Sequence, residues 1–371
     1  MKKILHIPNY YPPHIGGIEQ VCCMSVIALK NYINRVICFN DCNKTLSEEI
    51  DGIIVDRIGI FGKLASQPLS LSYLFYLKKV IKRYNPDVIH FHVPNPLVSL
   101  YLLLLIPGRV KLIVHYHAEI LTSKLIYTCY RPIEKLLFKR ANIIIATSPN
   151  LKEEAGPLQR YKDKCIVVPN AIDTTKLEIS ENDKFRIKEL RELYNNRKIV
   201  LSYGRHVPYK GLEYLIAAEP YIDPNVEIII GGQGPLTDNL KRSTLSRRVH
   251  FIGRIPDDQL KIYLHAADVF AFPSITKAEA FGLTLAESMY CHTPTVSFVI
   301  PASGVNYVSI NNETGFVVEN SNPQSFADAI NRLVIDNKIR KVMGEKGHNR
   351  VINNFSIDKY DENINLIYHK L

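Results

Sequence analysis

The chain has 371 residues, 46% of them apolar and 22% charged, with 46 Lys/Arg against 36 Asp/Glu for a formal net charge of +10 and a mean hydropathy near zero. Such a chain is globular and long enough for two cores of ordinary size, and no apolar run approaches the roughly 18 residues a membrane span needs. The excess charge is one-sided: residues 1–172 hold 22 Lys/Arg against 12 Asp/Glu, and residues 173–371 hold 24 of each.

That basic half includes Lys78, Lys79, Lys82, Arg83, Lys135, Lys139 and Arg140. One reading is helix faces kept soluble by lysine. The other is attraction to an anionic membrane surface or a phosphorylated lipid, at up to about 1 kcal/mol per basic residue. Nucleic acid is disfavoured, because the basic residues are neither interleaved with aromatics nor set in a binding module. Seven scattered cysteines, Cys22, Cys23, Cys38, Cys42, Cys129, Cys165 and Cys291, show no zinc spacing and are expected to be reduced core residues of a cytoplasmic protein. Cys38 and Cys42 as a redox pair is a minor alternative.

In chain order, Met1-Lys-Lys-Ile-Leu-His-Ile-Pro8 reaches proline before a signal-peptide core can form, so Lys3–Ile7 is read as a first strand. It runs through Gly16-Gly17 into a helix from Ile18 to about Lys30. Paired glycines at a strand-to-helix turn let backbone approach a ligand, commonly phosphate, although this is not a dinucleotide fingerprint. Further strands are predicted at 35–39, 52–57, 87–91, 111–115 and 142–147, with helical patterns between most of them, the longest apolar run, Leu97–Ile106, suiting a buried helix. That alternation predicts a doubly wound parallel sheet. His90, His92, His115 and His117 then fall at strand C-terminal ends, the edge where ligands bind. Each His-x-His is half of a metal site at most; no third ligand is apparent in the linear sequence, and there is no Asp-x-Asp motif.

Residues 174–197 are polar and charged, and the boundary between domains is placed near residue 174. A second sheet starts at Ile199–Tyr203 and continues at 226–230, 249–252, 269–272 and 295–298. After the first of these strands come Gly204 and Arg205, then Lys210 and Gly211. Arginine offers a forked donor to phosphate oxygens and lysine a point charge, so this segment is read as a diphosphate clamp. Strand 269–272 leads through Pro273-Ser274 to a helix expected to begin near Phe281, whose free N–H groups attract an anion. Glu279 and Glu287 frame that turn. Eight positions of helix span about 12 Å, too far for the carboxyl pair of a glycosidase at about 5 to 9.5 Å. They are instead placed at the two ends of one elongated ligand, with the sugar at Glu279, a diphosphate at the helix N-terminus and ribose hydroxyls at Glu287.

Glu279-Ala-Phe-Gly-Leu-Thr-Leu-Ala-Glu287 resembles the E-x7-E signature of the retaining glycosyltransferase family 4. Gly204–Gly211 is similar to that family's phosphate-clamping segment and Gly231-Gly-Gln-Gly234 to its glycine-rich turn. Phe251-Ile-Gly-Arg254 is a weaker match to its base-contacting turn. Pro12–Gly17, His117-Ala118-Glu119, Ser148-Pro149-Asn150, Val168–Asp173, Gly304-Val305 and Thr314–Phe316 match further landmarks, so the likeness spans nearly the whole chain. It implies a GT-B fold, two Rossmann-like domains facing a deep cleft, divided as 1–174 plus a returning helix 357–371, and 175–356.

The resemblance also implies a reaction: retaining transfer of a hexose from a nucleotide sugar. In it His117, Arg205, Lys210 and Glu279 are the catalytic candidates. Gly16, Gly17, Gly204, Arg254, Phe281, Gly282, Leu283, Thr284 and Glu287 are the donor-binding ones. No cofactor and no essential metal is expected. GDP-mannose is the favoured donor, with a UDP-hexose or UDP-N-acetylhexosamine as the close alternative. The acceptor is expected to be a polyprenyl-diphosphate-linked glycan of bacterial O-antigen, capsule or exopolysaccharide synthesis, met at the inner face of the plasma membrane. Other classes compatible with similar halves are a nucleotide-sugar epimerase, a pyridoxal-phosphate phosphorylase, for which no lysine-centred cofactor site is evident, and a non-catalytic nucleotide-sugar sensor.

Overall fold

Short runs of β-branched and apolar residues alternate with helical segments along the chain, the pattern of parallel βαβ units. The computed structural model describes residues 1–14, 16–64, 67–118, 124–244 and 246–371. It divides into two compact units, Met1–Asn170 with Tyr360–Leu371, and Ala171–Lys359.

Unit 1 contains β1 (Lys3–Ile7), β2 (Ile33–Phe39), β3 (Leu46–Ile50), β4 (Ile53–Ile58), a small hairpin of β5 (Gly62–Leu64) and β6 (Gln67–Leu69), then β7 (Val88–Val93), β8 (Lys111–Tyr116), β9 (Ile143–Ala146) and β10 (Cys165–Val167). Its helices are α1 (Gly17–Ala28), α2 (Ser72–Tyr84), α3 (Pro96–Leu105), α4 (Lys124–Arg140) and α5 (Pro149–Glu154). The main sheet runs β10-β9-β8-β7-β1-β2-β4-β3, parallel except for β3 against β4. Strand β7 is buried at every position, as a central strand covered on both faces must be. Edge strand β3 reads Leu-Ser-Glu-Glu-Ile and is mostly exposed. Its charge blunts the open edge, and its two apolar residues at the ends of a charged stretch give no run or alternation, which is why sequence pattern misses it.

Unit 2 contains α6 (Glu181–Leu193), β11 (Lys198–Tyr203), α7 (Leu212–Ala218), β12 (Val226–Gly231), α8 (Thr237–Ser243), β13 (Val249–Gly253), α9 (Asp257–Ala266), β14 (Val269–Phe272), α10 (Leu283–Tyr290), β15 (Thr295–Phe298), α11 (Val305–Val308), β16 (Gly315–Val318), α12 (Pro323–Ile335) and α13 (Asn337–Asn354). Its six strands pair in the order β13-β12-β11-β14-β15-β16. A final helix, α14 (Ile357–His369), starts in unit 2, and its residues from Tyr360 on belong to unit 1. There Tyr360 bonds Ser25 Oγ at 2.6 Å and Tyr368 bonds His90 Nδ1 at 3.0 Å.

The polar stretch after residue 174 contains a helix not listed from the sequence, α6, started by a capping box between Ser180 and Asp183 and held to α9 by the Lys261–Asp183 pair at 2.6 Å. Reciprocal capping starts a helix with little apolar content. Two sequence expectations are corrected. Helix α3 is not wholly buried: Val98, Ser99, Tyr101 and Leu102 face inward, while Leu104 is 68% exposed. None of the seven cysteines forms a disulfide, and Cys42 and Cys129 are exposed rather than in the core.

Candidate active site

Parallel strands bring their C-terminal ends to one edge of a sheet, so the loops after them share a surface. In unit 2 the loops after β11, β12 and β14 meet there almost backbone to backbone. Gly232 has φ +111° and a Cβ on it would lie 1.8 Å from the Gly204 carbonyl. Gly211 has φ +59° and its Cβ would lie 2.2 Å from the Pro273 carbonyl. Gly204 itself has φ +152°, with the Lys210 side chain running past it.

Lys210 closes this loop cluster. Its ammonium is ion-paired with Glu279 Oε2, which also accepts a bond from Ser274 Oγ at 3.2 Å, and it sits 5.1 Å above the Phe272 ring. Burial works against the lysine's charge, but the carboxylate of Glu279 and the neighbouring Tyr209 together outweigh it and hold the pKa above the ordinary lysine value. Arg205 is exposed, and among the described residues its guanidinium has no hydrogen-bond partner.

Helix α10 begins at Leu283, two residues later than the expectation near Phe281, because Gly282 takes the left-handed conformation at φ +87° as its N-cap. Phe281 is buried and packs edge-on against Phe355 at 5.4 Å. The loop before it is braced by Gly304 N–H donating to the Ala280 carbonyl at 2.8 Å. The first amides of a helix have no intrahelical acceptor, and the buried Thr284 hydroxyl beside them has no partner among the described residues. One turn on, the Glu287 carboxyl accepts from the Tyr203 hydroxyl. Burial pushes its pKa up to about 7, against the lowering effect of that bond.

Sequence reasoning did not list a second feature of this edge. A cavity of about 280 Å³ is lined by His206, Gly232, Gln233, Gly234, Thr237, Lys241, Phe251 and Gly253. His206 Nδ1 lies 2.9 Å from Thr237 Oγ1, and that hydroxyl accepts from the Gly234 amide at 2.9 Å. The glycine-rich turn was the signal for it. Arg254, by contrast, is exposed and does not line the cavity; its neighbour Gly253 does.

In unit 1 the turn after β1 carries Gly16 and Gly17. Gly16 is extended at φ −175°, and the nearest atoms to a Cβ there would be those of the Glu19 carboxylate. Gly17 faces open space, with nothing within 4 Å of an added Cβ. Neither glycine is demanded by its own dihedrals. The loop is tied down by Arg57, which donates to the carbonyls of Tyr11 at 2.9 Å and Pro12. His117 follows β8 and is buried, with Nε2 3.0 Å from His92 Nδ1. Burial lowers its pKa to about 3, so its imidazole is neutral at physiological pH. Glu119 and Ile15, parts of the two motifs, lie outside the described residues. The absence of a third metal ligand is also corrected: β7 and β8 pair with His92 opposite His115, which places ligand atoms of His90, His92 and His115 within 4.8 Å of one another. Cross-strand register, invisible in linear spacing, supplies it.

The fold and this arrangement have counterparts. A family profile described as group 1 glycosyl transferases matches residues 183–350, and one described as glycosyltransferase family 4 matches residues 15–176; between them they take in most of the chain. The O-antigen chain mannosyltransferase C of Escherichia coli is 28% identical over 96% of this chain and 95% of its own length. The D-rhamnosyltransferase WbpZ of Pseudomonas aeruginosa is 29% identical over 89% of this chain and 86% of its own. Among solved structures, sucrose-phosphate synthase from Thermosynechococcus elongatus superposes with a TM-score of 0.80 at 20% identity, covering 100% of this chain and 99% of that one. HepE of Anabaena, in complex with UDP and glucose, gives 0.78 at 20% identity over the full length of both chains. The two units are thus those of a GT-B glycosyltransferase. The chain belongs to glycosyltransferase family 4, and it is an enzyme of glycosyl transfer.

Proposed function

We propose that the protein is a retaining hexosyltransferase that moves a sugar, mannose from GDP-mannose as the favoured donor, onto a hydroxyl of a lipid-linked glycan in bacterial surface-polysaccharide synthesis. One observation carries the reading: Lys210 and Glu279, paired, stand on the same sheet edge as the Gly282–Thr284 helix start. This puts a cation, a carboxylate and free amides within one loop cluster.

In this reading the diphosphate of the donor lies on the Phe281–Leu283 amides and is gripped by Lys210 and Arg205. Negative charge then grows on the leaving diphosphate toward preorganised positive groups, the arrangement that lowers a transfer barrier most. Glu279 orients the sugar while holding Lys210 in place. Glu287 reaches the ribose hydroxyls, with Tyr203 keeping its carboxyl aimed. The base takes the cavity beside Gly232–Gly234 and Phe251. His117, as a neutral imidazole, contacts sugar or acceptor hydroxyl by hydrogen bonding rather than as a cation. The donor's own phosphate accepts the acceptor proton. No metal is assigned a part.

The relatives named as a mannosyltransferase and a D-rhamnosyltransferase support the favoured donor, and the HepE complexes with UDP and with UDP-glucose favour a second reading in which the donor is UDP-linked. The basic N-terminal half and the exposed apolar side chains Phe61, Leu64, Leu71 and Phe75 support a peripheral stay on the anionic inner face of the plasma membrane.

The test is transfer itself. Purified protein is given GDP-mannose, UDP-glucose or UDP-N-acetylglucosamine with a synthetic polyprenyl-diphosphate-linked glycan, and the product anomer is read by NMR. Retained α-mannoside from GDP-mannose supports the reading. Turnover with a UDP sugar alone replaces the donor, and an inverted product removes the retaining mechanism.

A further inference from the structure

Unit 1 buries a set of metal-binding side chains that glycosyl transfer does not use. His6 on β1, Cys22 on α1 and His92 on β7 each place a ligand atom within 4.8 Å of the other two. All three are 0% exposed. They come from separate elements: the parallel pairing of β1 with β7 sets His6 opposite His90, and Cys22 points from α1 into the core formed with Tyr11, Val26, Val36 and Cys38.

Each of the two histidines has one unsatisfied ring nitrogen. Among the described residues, His6 Nδ1 and His92 Nε2 are buried and have no hydrogen-bond partner. A buried polar atom left bare costs about 1–3 kcal/mol, so two of them on residues of one cluster favour a common occupant. The His6 tautomer is set by its surroundings. Asn34 donates its amide N–H groups to the carbonyls of Leu29 at 2.8 Å and Tyr32 at 3.3 Å, which turns its Oδ1 toward His6 Nε2 at 3.0 Å. That oxygen only accepts, so Nε2 carries the proton and Nδ1 presents a lone pair. This is the carbonyl-oriented imidazole found behind metal-ligating histidines. On His92, Nδ1 faces His117 at 3.0 Å, which leaves Nε2 as its free end.

We propose that His6 Nδ1, Cys22 Sγ and His92 Nε2 form a site for a borderline-soft divalent transition metal, of which zinc is the type. Two imidazoles and one thiolate suit zinc or cobalt and not the oxygen-seeking magnesium or calcium. Bond lengths of about 2.0–2.3 Å to a tetrahedral ion set its ligands about 3.3–3.7 Å apart, inside the observed limit. When the sulfur–metal bond forms, the Cys22 thiol proton passes to solvent, and the site gains one net positive charge. A fourth position remains for a water. The neighbouring group of His90, His92 and His115 is the poorer site, because His90 already engages Tyr368 through Nδ1 and His115 through Nε2. The ion would pin β1, β7 and α1 together from inside and acts independently of the donor site in unit 2.

The site is closed, so loading is done during synthesis. Full-length protein is expressed in minimal medium supplemented with zinc or cobalt, purified without chelator, and its metal content measured by mass spectrometry. The expected result is about one ion per chain, and for the cobalt form a near-ultraviolet thiolate-to-cobalt band with visible bands of tetrahedral intensity. Cys22→Ser removes the near-ultraviolet band and weakens zinc at least about tenfold, whereas Cys38→Ser, at another buried cysteine of the same unit, leaves both unchanged. Wild-type protein that is folded by circular dichroism but carries no ion, or whose cobalt form lacks the thiolate band, overturns the proposal and leaves a bridging water as the occupant. Full metal content in a folded Cys22→Ser, His92→Gln double variant overturns it as well, by placing the ion elsewhere.

Discussion

The ammonium of Lys210 is ion-paired with the carboxylate of Glu279, 69 residues further along the chain, although both side chains are largely shielded, at 15% and 13% exposure. Each neutralises the other where neither has much water, so removing one leaves a poorly solvated charge behind. Lys210→Ala is expected to cost up to about 3–5 kcal/mol of stability and about 10²–10³ in kcat. Adding Glu279→Gln to that variant should restore most of the melting temperature and none of the activity. Recovery of turnover in the double variant would show that the pair matters only for folding.

A pH dependence follows from Glu287. Its native pKa, about 7, lies above the ordinary glutamate value near 4.3, so between those values the folded state binds more protons than the unfolded one. Stability from this group is therefore full at low pH and is lost as pH rises through 7. Glu287→Gln does not titrate. Its melting temperature relative to wild type should climb from pH 5 to pH 8, by the equivalent of at most about 3 kcal/mol. A difference that stays flat over that range counts against the buried, protonated carboxyl.

The glycines separate into two kinds. Gly232→Ala forces a Cβ onto the Gly204 carbonyl at a positive φ and should destabilise unit 2 by about 2–4 kcal/mol. Gly17→Ala meets nothing, so its melting temperature should match wild type within about 0.5 kcal/mol. If Gly17→Ala keeps full stability yet loses donor or acceptor affinity, the open space beside it is used by a ligand. If it keeps both, Gly17 has no part in the site.

The proposed membrane attachment is tested on α2, where Phe75, Lys78, Lys79 and Lys82 are exposed at the three- and four-residue spacing of one helical face. Co-sedimentation with vesicles rich in phosphatidylglycerol should fall more than about tenfold on Lys78→Glu with Lys79→Glu, and should weaken with salt in the wild type. Binding that survives both changes assigns the attachment to another surface.

Much of this protein was legible as a string. Apolar runs of five or six residues alternating with helical patterns require parallel sheets, and β1 and β14 coincide with the predicted strands. The Glu279–Glu287 spacing and the glycines flanking Arg205 and Lys210 pointed to the loop cluster proposed to hold the donor, because those signals are local: a strand, a turn and a helix start are adjacent in sequence. Edge strand β3 and helix α6 were not legible, since one is held by its neighbour's hydrogen bonds and the other by caps and the Lys261 pair rather than by apolar content. Only the tertiary structure decided the Lys210–Glu279 and Tyr203–Glu287 contacts, the cavity at Gly232–Gly234, and the meeting of His6, Cys22 and His92. Each depends on strand register and helix docking, which join residues far apart in the chain through packing that no local pattern encodes.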